Sequence, residues 1–282
     1  MSMCVAVFDS VFDGHACRAL HAAASARGLG HALYVREDSP QTALEHAMES
    51  FLEGVGDEAP YVEYWSRQEW QHIEAHADVD EKVAAGGGPH RYPDNGHVLY
   101  LQVGNRVRGP TCVWQPSAGG DRFGGALTTV PAREGRVLRF AGSLQHAVPR
   151  PADVWLAPFV IRESGPADDF VRSVVLFNTW EEPPLNVERE RPAAGAIAYD
   201  AARAVAAAAS SSWQRTAVHA SLASAPSKPA RAKIWLLGDE ARRQQAERTL
   251  SMQVDGAALI AALTESELCT RLEPCEPAAD AA

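Results

Sequence analysis

The sequence lacks any uncharged apolar run of about 18 residues, the length that a membrane-spanning helix requires. It also lacks a basic segment ahead of its first apolar stretch (MSMCVAVFDS), so we expect no secretory signal. Its five cysteines are odd in number and none forms a CxxC pair. That pattern argues against a disulfide scaffold or a zinc ribbon and favours a reducing compartment. We therefore expect a cytoplasmic protein with free thiols and no membrane association.

Positive charge is also scarce, because 26 Lys and Arg face 36 Asp and Glu and leave a net charge of −10 at pH 7. This acidic balance excludes the broad basic surface of a nucleic-acid-binding protein. Apolar residues make up 46% and charged residues 22% of the 282 residues. These fractions are ordinary for a globular protein, and a chain of this length can bury a sizeable core. They leave the oligomeric state open.

The first 60 residues predict one strand followed by two helices. Residues 3–9 (MCVAVFD) have the composition of a short strand, and His15 to Arg27 predict a helix that glycines end. Residues 41–54 place apolar side chains at helical spacing and predict a second helix.

From Tyr61 to Trp180 the sequence is typical of a β protein. Short apolar runs alternate with turn residues, and the gaps between them are too short for helices, which favours a sandwich or barrel over a βαβ arrangement. The predicted strands cover 97–103, 110–115, 125–130, 136–142, 146–149, 154–161 and 172–180.

After Trp180 a polar, proline-rich connector (EEPPLNVERERP) leads into a region that we predict to be largely helical. We expect the whole chain, 1–282, to form a single domain in which residues 181–282 pack on the β core as a helical extension. The predicted elements are helices over 196–209, 239–250 and 256–271 and one strand over 233–239.

The most informative motif is His76-Ala77-Asp78, at the end of a β-type segment. On a strand, residues i and i+2 point to the same face, so an imidazole nitrogen and a carboxylate oxygen converge as metal ligands must. Taken alone, the triplet also fits a hydrogen-bonded surface pair. A third ligand is offered by His146, which follows a later apolar strand and a glycine-containing turn.

Two histidines and one carboxylate on one face of an ion form the facial triad of non-haem Fe(II) oxygenases. Zinc hydrolases can use the same ligand types, but the helical HExxH signature is absent.

The order of HAD, VLYLQV, GPTCVWQ, GRVLRFAGSLQHAV and RSVVLFNTW resembles the Fe(II)/2-oxoglutarate-dependent dioxygenase superfamily, and its prolyl-hydroxylase-like branch in particular. The resemblance covers about residues 61–180, and FDSVFDGHACRALH is similar to the lead-in of that branch. It implies a mainly β fold with flanking helices around a double-stranded β-helix, the jelly-roll core shared with cupins.

The resemblance also implies roles for individual residues. His76, Asp78 and His146 would bind iron. A basic residue on the last barrel strand would pair with the distal carboxylate of 2-oxoglutarate, which suits the planar fork of an arginine. We expect Arg172 in that role, because it begins an apolar strand, with Arg162 as the alternative. Tyr100 would donate a hydrogen bond to the same carboxylate or simply pack in the core.

The implied cofactors are Fe(II), 2-oxoglutarate as cosubstrate and O2, with ascorbate left open as a reductant. The implied reaction oxidises a C–H bond while 2-oxoglutarate is decarboxylated to succinate. Related halogenases have a small residue in place of the aspartate, so Asp78 favours hydroxylation, desaturation or ring closure over halogenation.

We expect a small-molecule substrate, because the sequence shows no peptide-binding groove. Side chains placed near the mouth of the site by sequence position or strand parity are candidate substrate contacts. These are Trp70, His72, Glu74, His90, Arg91 and Asn178.

Three alternatives stay open at this point. The protein could be a cupin-like metalloenzyme that uses the same triad without 2-oxoglutarate. It could be a hydroxylase of protein side chains, or a catalytically silent scaffold that keeps the barrel.

Overall fold

The computed structural model describes residues 5–69, 73–104, 110–148, 171–190, 213–221, 229–233, 249–264 and 267–274. Within these ranges the chain forms fifteen strands and four helices. In chain order they are β1 (Val5–Asp9), α1 (Gly14–Arg27), β2 (Ala32–Val35), α2 (Ala43–Val55), β3 (Tyr61–Glu69), β4 (Ile73–His76), α3 (Glu81–Ala85), β5 (Asn95–Val103), β6 (Thr111–Trp114), β7 (Leu127–Val130), β8 (Val137–Ala141), β9 (His146–Val148), β10 (Val171–Trp180), β11 (Gln214–Thr216), β12 (His219–Ser221), β13 (Pro229–Lys233), β14 (Thr249–Asp255), α4 (Gly256–Thr264) and β15 (Thr270–Leu272). None of the described helices has the length and apolar character needed to span a bilayer.

Strands β3 to β10 form two antiparallel four-stranded sheets with the orders β8-β5-β10-β3 and β7-β6-β9-β4. Successive strands cross from one sheet to the other, except that β6 and β7 are neighbours in the same sheet. This winding is a double-stranded β-helix, so the predicted mainly β fold with a jelly-roll core is confirmed.

Alternation along the strands divides the side chains between the barrel interior and its outer faces. On β10, Val174 packs in an interior cluster with Val113 of the opposite sheet. Its neighbour Val175 points the other way and packs with Phe51 of α2. Asn178 shares the parity of Val174 and therefore faces the interior. Arg172 lies beyond an irregularity in the strand pairing, and its hydrogen bond to Thr111 of the opposite sheet places its side chain in the interior as well.

The two helices that the sequence predicts before Tyr61 are present as α1 and α2, and they cover the outer face of the first sheet. Asp13 caps α1, and Thr42 and Glu45 form a capping box that fixes the start of α2. The apolar face of α2 lies in the same cluster as Leu20 of α1. β2 was not predicted from the sequence; its four buried residues form an edge strand beside β3.

The C-terminal region differs from the predicted helical extension, because more of its described residues are in strands than in helices. Residues 249–250, predicted as the end of a helix, begin β14, and the helix predicted over 256–271 ends at Thr264. The reason lies in TLSMQVD, in which Leu250, Met252 and Val254 alternate with polar residues at the period of a strand, which outweighs helix propensity. The predicted elements at 154–161 and 196–209, and nearly all of 233–239, lie outside the described residues.

Three of the described C-terminal strands extend the two sheets of the core, whereas β13 and β14 pair with each other in a separate two-stranded sheet. β11 pairs with β1 at the edge of the first sheet, and β15 pairs with β7 at the edge of the second, with β12 beside it. Leu259 of α4 and Leu272 of β15 pack with Trp114 on the outer face of the second sheet.

We predict that a chain ending at Glu181 will be insoluble or much less stable than the full chain. The truncation uncovers the outer face of the second sheet, and the lost burial of Leu259 and Leu272 alone is worth about 1.5–3 kcal/mol each. Thermal unfolding followed by circular dichroism measures the difference. Equal melting temperatures for the two proteins would contradict this prediction and the single-domain organisation with it.

His97 on β5 is a buried histidine that packs among aromatic rings, 2% exposed. Its ring stacks on Phe177 with centroids 4.4 Å apart, and its Nδ1 lies 3.1 Å from the carbonyl oxygen of Phe177. A carbonyl only accepts, so Nδ1 carries the hydrogen of the neutral ring. The pKa of His97 is lowered to about 3, mainly by burial. The charge of Arg139 also lowers it, and the charge of Asp57 raises it.

His97 should make the free energy of unfolding fall as the pH drops below about 6.5, the ordinary pKa of histidine. The unfolded chain binds a proton near that pH, whereas the folded chain binds it only near pH 3. The loss should reach about 2 kcal/mol between pH 6.5 and pH 5. Urea unfolding between pH 7 and 5 should show a flatter dependence for His97→Phe than for the wild type. Identical dependence in the two proteins would show that His97 titrates normally.

Candidate metal centre

Three potential metal ligands converge at one end of the barrel interior. His76 is the last residue of β4, His146 is the first residue of β9, and the two are directly paired across these neighbouring strands. Their rings lie 4.3 Å apart, centroid to centroid. Asp78 completes the cluster, and one ligand atom from each of the three residues lies within 4.8 Å of the others.

Asp78 reaches the cluster from outside the strand, which differs from the prediction that both residues of the motif lie on it. The chain leaves the sheet after His76 because Asp80 caps α3, accepting hydrogen bonds from the backbone of Lys82 and Val83. Asp78 Oδ1 nevertheless lies 3.5 Å from His76 Nε2 and 3.9 Å from His146 Nε2. His76 and Asp78 are therefore close together, as strand parity predicts. Only His76, however, lies on the strand; Asp78 reaches it from the loop that follows.

The surroundings of His146 leave its Nε2 directed at the cluster. Its Nδ1 lies 3.3 Å from the carbonyl oxygen of Leu144, so Nδ1 is the protonated nitrogen of the neutral ring. The pKa of His146 is lowered to about 4, mainly by burial and in addition by the nearby His76, while the charge of Asp78 acts in the opposite direction. The imidazole is therefore neutral at physiological pH, which is the form that binds metal ions.

Asp78 is ionised in the same environment. Burial raises its pKa, but the nearby His146 and His76 and hydrogen bonds from His76 and Asn178 outweigh that effect and hold the pKa well below its ordinary value. The cluster thus offers two imidazole nitrogens and one carboxylate oxygen, a donor set that fits Fe(II).

A second polar group inside the barrel contains a buried cation. Arg172 is 4% exposed, and its Nη2 donates to Thr111 Oγ1 at 3.0 Å. The hydroxyl of Tyr100 lies 2.7 Å from the same Thr111 oxygen, and the guanidinium carbon lies 5.2 Å from the centroid of the Tyr100 ring. The structure thus brings together the two residues that the resemblance assigns to 2-oxoglutarate, and it adds Thr111.

Within the described part of the chain, no carboxylate forms an ion pair with Arg172, and its Nε has no hydrogen-bond partner. Burial lowers the pKa of Arg172, although Tyr100 raises it; an arginine side chain still stays protonated in a protein. A buried charge without a counterion is costly. The group formed by Arg172, Thr111 and Tyr100 is therefore suited to bind an anion.

Sequence reasoning also missed Arg67, which lies opposite Val174 in the pairing of β3 with β10. Burial lowers the pKa of Arg67 and the charge of Asp78 raises it. Arg67 in turn lowers the pKa of Arg172. The guanidinium therefore lies close enough to both polar groups to influence them. In the sequence, only strand parity indicates this position: Arg67 lies two residues after Trp65 and so points to the same face of β3.

Arg91, a predicted substrate contact, instead connects two loops of the protein. It forms an ion pair with Asp80, donates to the carbonyl oxygen of Pro183 at 2.7 Å, and lies 5.7 Å over the ring of Trp180. These contacts connect the segment after Asp78 to the connector that follows β10.

The other predicted substrate contacts are placed as follows. The ring of His90 lies 6.1 Å from that of Tyr92, centroid to centroid. Asn178 contacts the metal cluster itself, since its Nδ2 donates to Asp78 Oδ2 at 3.1 Å. The side chain of Glu74, and all of Trp70, His72 and Arg162, lie outside what the structure describes.

No family model and no curated protein matches this sequence. Among solved structures, the chain is similar to a prolyl-4-hydroxylase from Pseudomonas putida, with a TM-score of 0.40 and 14% identity over 65% of this chain and 90% of that chain. It is also similar to HygX from Streptomyces hygroscopicus with iron bound, with a TM-score of 0.37 and 15% identity over 71% and 89%. EctD from S. alaskensis in its apoform gives a TM-score of 0.37 and 13% identity over 67% and 78%. These likenesses are distant, so a function has to be argued from this chain's own residues.

Proposed function

We propose that this protein is an Fe(II)/2-oxoglutarate-dependent oxygenase that hydroxylates a C–H bond of a small molecule. The observation that carries the proposal is the presence, in one barrel, of a two-histidine, one-carboxylate cluster and a buried arginine without a described counterion. The first fits Fe(II) and the second fits a dicarboxylate cosubstrate.

Each part of the site has a role in this proposal. His76, Asp78 and His146 would hold the iron, with the imidazole of His146 neutral and the carboxylate of Asp78 ionised. Arg172 would bind the distal carboxylate of 2-oxoglutarate with the Nη2 and Nε edge of its guanidinium. When bound, iron and 2-oxoglutarate supply the activation of O2 that couples decarboxylation to oxidation of the substrate.

Two neighbours of Arg172 complete the anion pocket. Burial raises the pKa of Tyr100, so its hydroxyl keeps its proton at neutral pH and can donate. Thr111 Oγ1 is hydrogen-bonded to both the guanidinium of Arg172 and the hydroxyl of Tyr100, and it thereby fixes their relative position. Tyr100 packs in the interior cluster with Val174 and Leu138, and Arg172 is 4% exposed, so a charged contact made here is little screened by water.

The same observation favours this function over the cupin-like alternative. A metalloenzyme that does not use a dicarboxylate gains nothing from a buried cation, and it carries the cost of desolvating that charge. We propose a small molecule as substrate because the sequence shows no peptide-binding groove. A protein side chain is the competing class of substrate.

Succinate formation by the purified protein tests the proposal. With Fe(II), 2-oxoglutarate and O2, we expect slow succinate release without added substrate and faster release with a subset of small metabolites. Reactions without iron or without O2 serve as controls. If calorimetry detects no binding of 2-oxoglutarate to the metal-loaded protein and no succinate forms with any compound, the proposal is wrong.

A further inference from the structure

We infer that Asn178 is a positioning residue that presents only one oxygen of Asp78 to the metal, and that Gly96 provides the space for this arrangement. The inference rests on the proposed function, because it requires the cluster of His76, Asp78 and His146 to bind a metal. It assigns to Asn178 a role different from the substrate contact that its strand parity suggested.

The two oxygens of Asp78 face different surroundings. Oδ1 is directed at the imidazoles, 3.5 Å from His76 Nε2 and 3.9 Å from His146 Nε2. Oδ2 accepts a hydrogen bond from Asn178 Nδ2 at 3.1 Å. A carboxylate held in this way offers Oδ1 as a ligand while Oδ2 stays bound to the barrel wall.

Asn178 is itself held rigidly, since it is 2% exposed and lies on β10, the strand between β3 and β5. An amide is also suited to the role by its charge. It donates a hydrogen bond to the carboxylate without a positive charge, so the full charge of Asp78 remains available to a cation. A lysine or an arginine in this position would compete with the metal for that charge.

Gly96 lies directly opposite Asn178 in the pairing of β5 with β10, and opposite Phe140 in the pairing of β5 with β8. A Cβ on Gly96 would lie 2.9 Å from two ring atoms of Phe140 and 3.4 Å from Asn178 Oδ1. The Phe140 ring in turn packs against His146, with centroids 4.8 Å apart. The space left by one missing side chain therefore lets the barrel wall contact both a carboxylate and an imidazole of the cluster.

Binding of Co(II) to the apoprotein tests the inference without any need for turnover. Cobalt is a stable probe whose visible spectrum reports the number and geometry of its ligands. We expect Asn178→Leu to weaken Co(II) binding by about 10–100-fold, the usual effect of removing a group that orients a metal ligand. We also expect a changed visible spectrum, because the freed Oδ2 can turn towards the metal.

Asn95→Leu is a matched control. Asn95 Nδ2 donates to Asp57 Oδ2, also at 3.1 Å, so this variant breaks the same kind of bond away from the metal cluster. The two variants should lose comparable stability, but only Asn178→Leu should change the cobalt affinity and spectrum. Gly96→Ala should alter the cobalt spectrum in the same direction with a smaller loss of affinity.

Asn178→Ala removes the donor without adding bulk and serves if the leucine variant does not fold. Cobalt affinity within about twofold of the wild type and an unchanged spectrum in the folded Asn178 variant would overturn the inference. If His146→Ala still abolishes cobalt binding in that case, the proposed metal site stands and only the positioning role fails. If the wild type binds no Co(II), the inference and the proposed function are both wrong.

Discussion

Replacing His76, Asp78 or His146 by alanine should abolish iron-dependent succinate formation while the protein remains folded. Each residue supplies one of three ligands, and two ligands hold a divalent ion far more weakly than three. The fold should persist because none of the three residues belongs to the apolar clusters that form the core, and only His146 packs against a member of one, Phe140.

Succinate formation and Fe(II) affinity should be measured together with the melting temperature of each variant. His31→Ala is a suitable control, since His31 also contacts a carboxylate, Glu63 at 2.7 Å, but belongs to the edge of the first sheet. It should keep its iron affinity. Wild-type affinity and activity in all three cluster variants would show that the cluster is only a hydrogen-bonded group.

Arg172→Ala should raise the 2-oxoglutarate concentration needed for half-maximal succinate formation by about two to four orders of magnitude, with iron binding largely kept. Losing one charged partner of a carboxylate from a site shielded from water costs roughly 3–5 kcal/mol. The site is shielded from water because Arg172 is 4% exposed and lies over the ring of Tyr100, a member of the interior apolar cluster.

The stability of the apoprotein gives a second measurement on the same variant. Without 2-oxoglutarate the buried guanidinium has a cost, so Arg172→Ala should destabilise the apoprotein little, and the rise in melting temperature that 2-oxoglutarate causes in the wild type should disappear. Arg172→Lys keeps the charge but not the planar fork and should be intermediate. Arg162→Ala should have little effect. A crippling effect of Arg162→Ala with a mild effect of Arg172→Ala would exclude Arg172 as the anchor.

The barrel and its two polar groups were accessible from the sequence because strands and turns leave a local pattern. The runs from 97 to 180 alternate clearly enough to place most strands within two residues, and parity placed Arg172 and Asn178 in the interior. The cluster followed from the order of the His76-Ala77-Asp78 motif and His146. The pairing of β4 with β9 then brought the two histidines together.

Other features depended on contacts between segments far apart in the chain. Thr111 is an ordinary strand threonine until β6 lies beside Tyr100 and Arg172. The hydrogen bond of Asn178 depends on where the chain goes after it leaves β4, which no local pattern fixes. The strands of the C-terminal region were not predicted, because short runs of alternating apolar and polar residues, such as that of β14, are hard to distinguish from helices when alanine-rich sequence lies nearby.

The central position of β10 also sets the order in which the protein can assemble. β3 is made about 100 residues before β10 and pairs with it in the finished sheet, so at typical rates of synthesis one side of β3 waits roughly 5–20 s for its partner. Pairings this distant in sequence form slowly, and the barrel cannot close without the strand that joins β3 to β5. Arg172 and Asn178 arrive together on that strand. The anion pocket and the finished metal cluster therefore form in the same late step, and a nascent chain shorter than about 180 residues has neither.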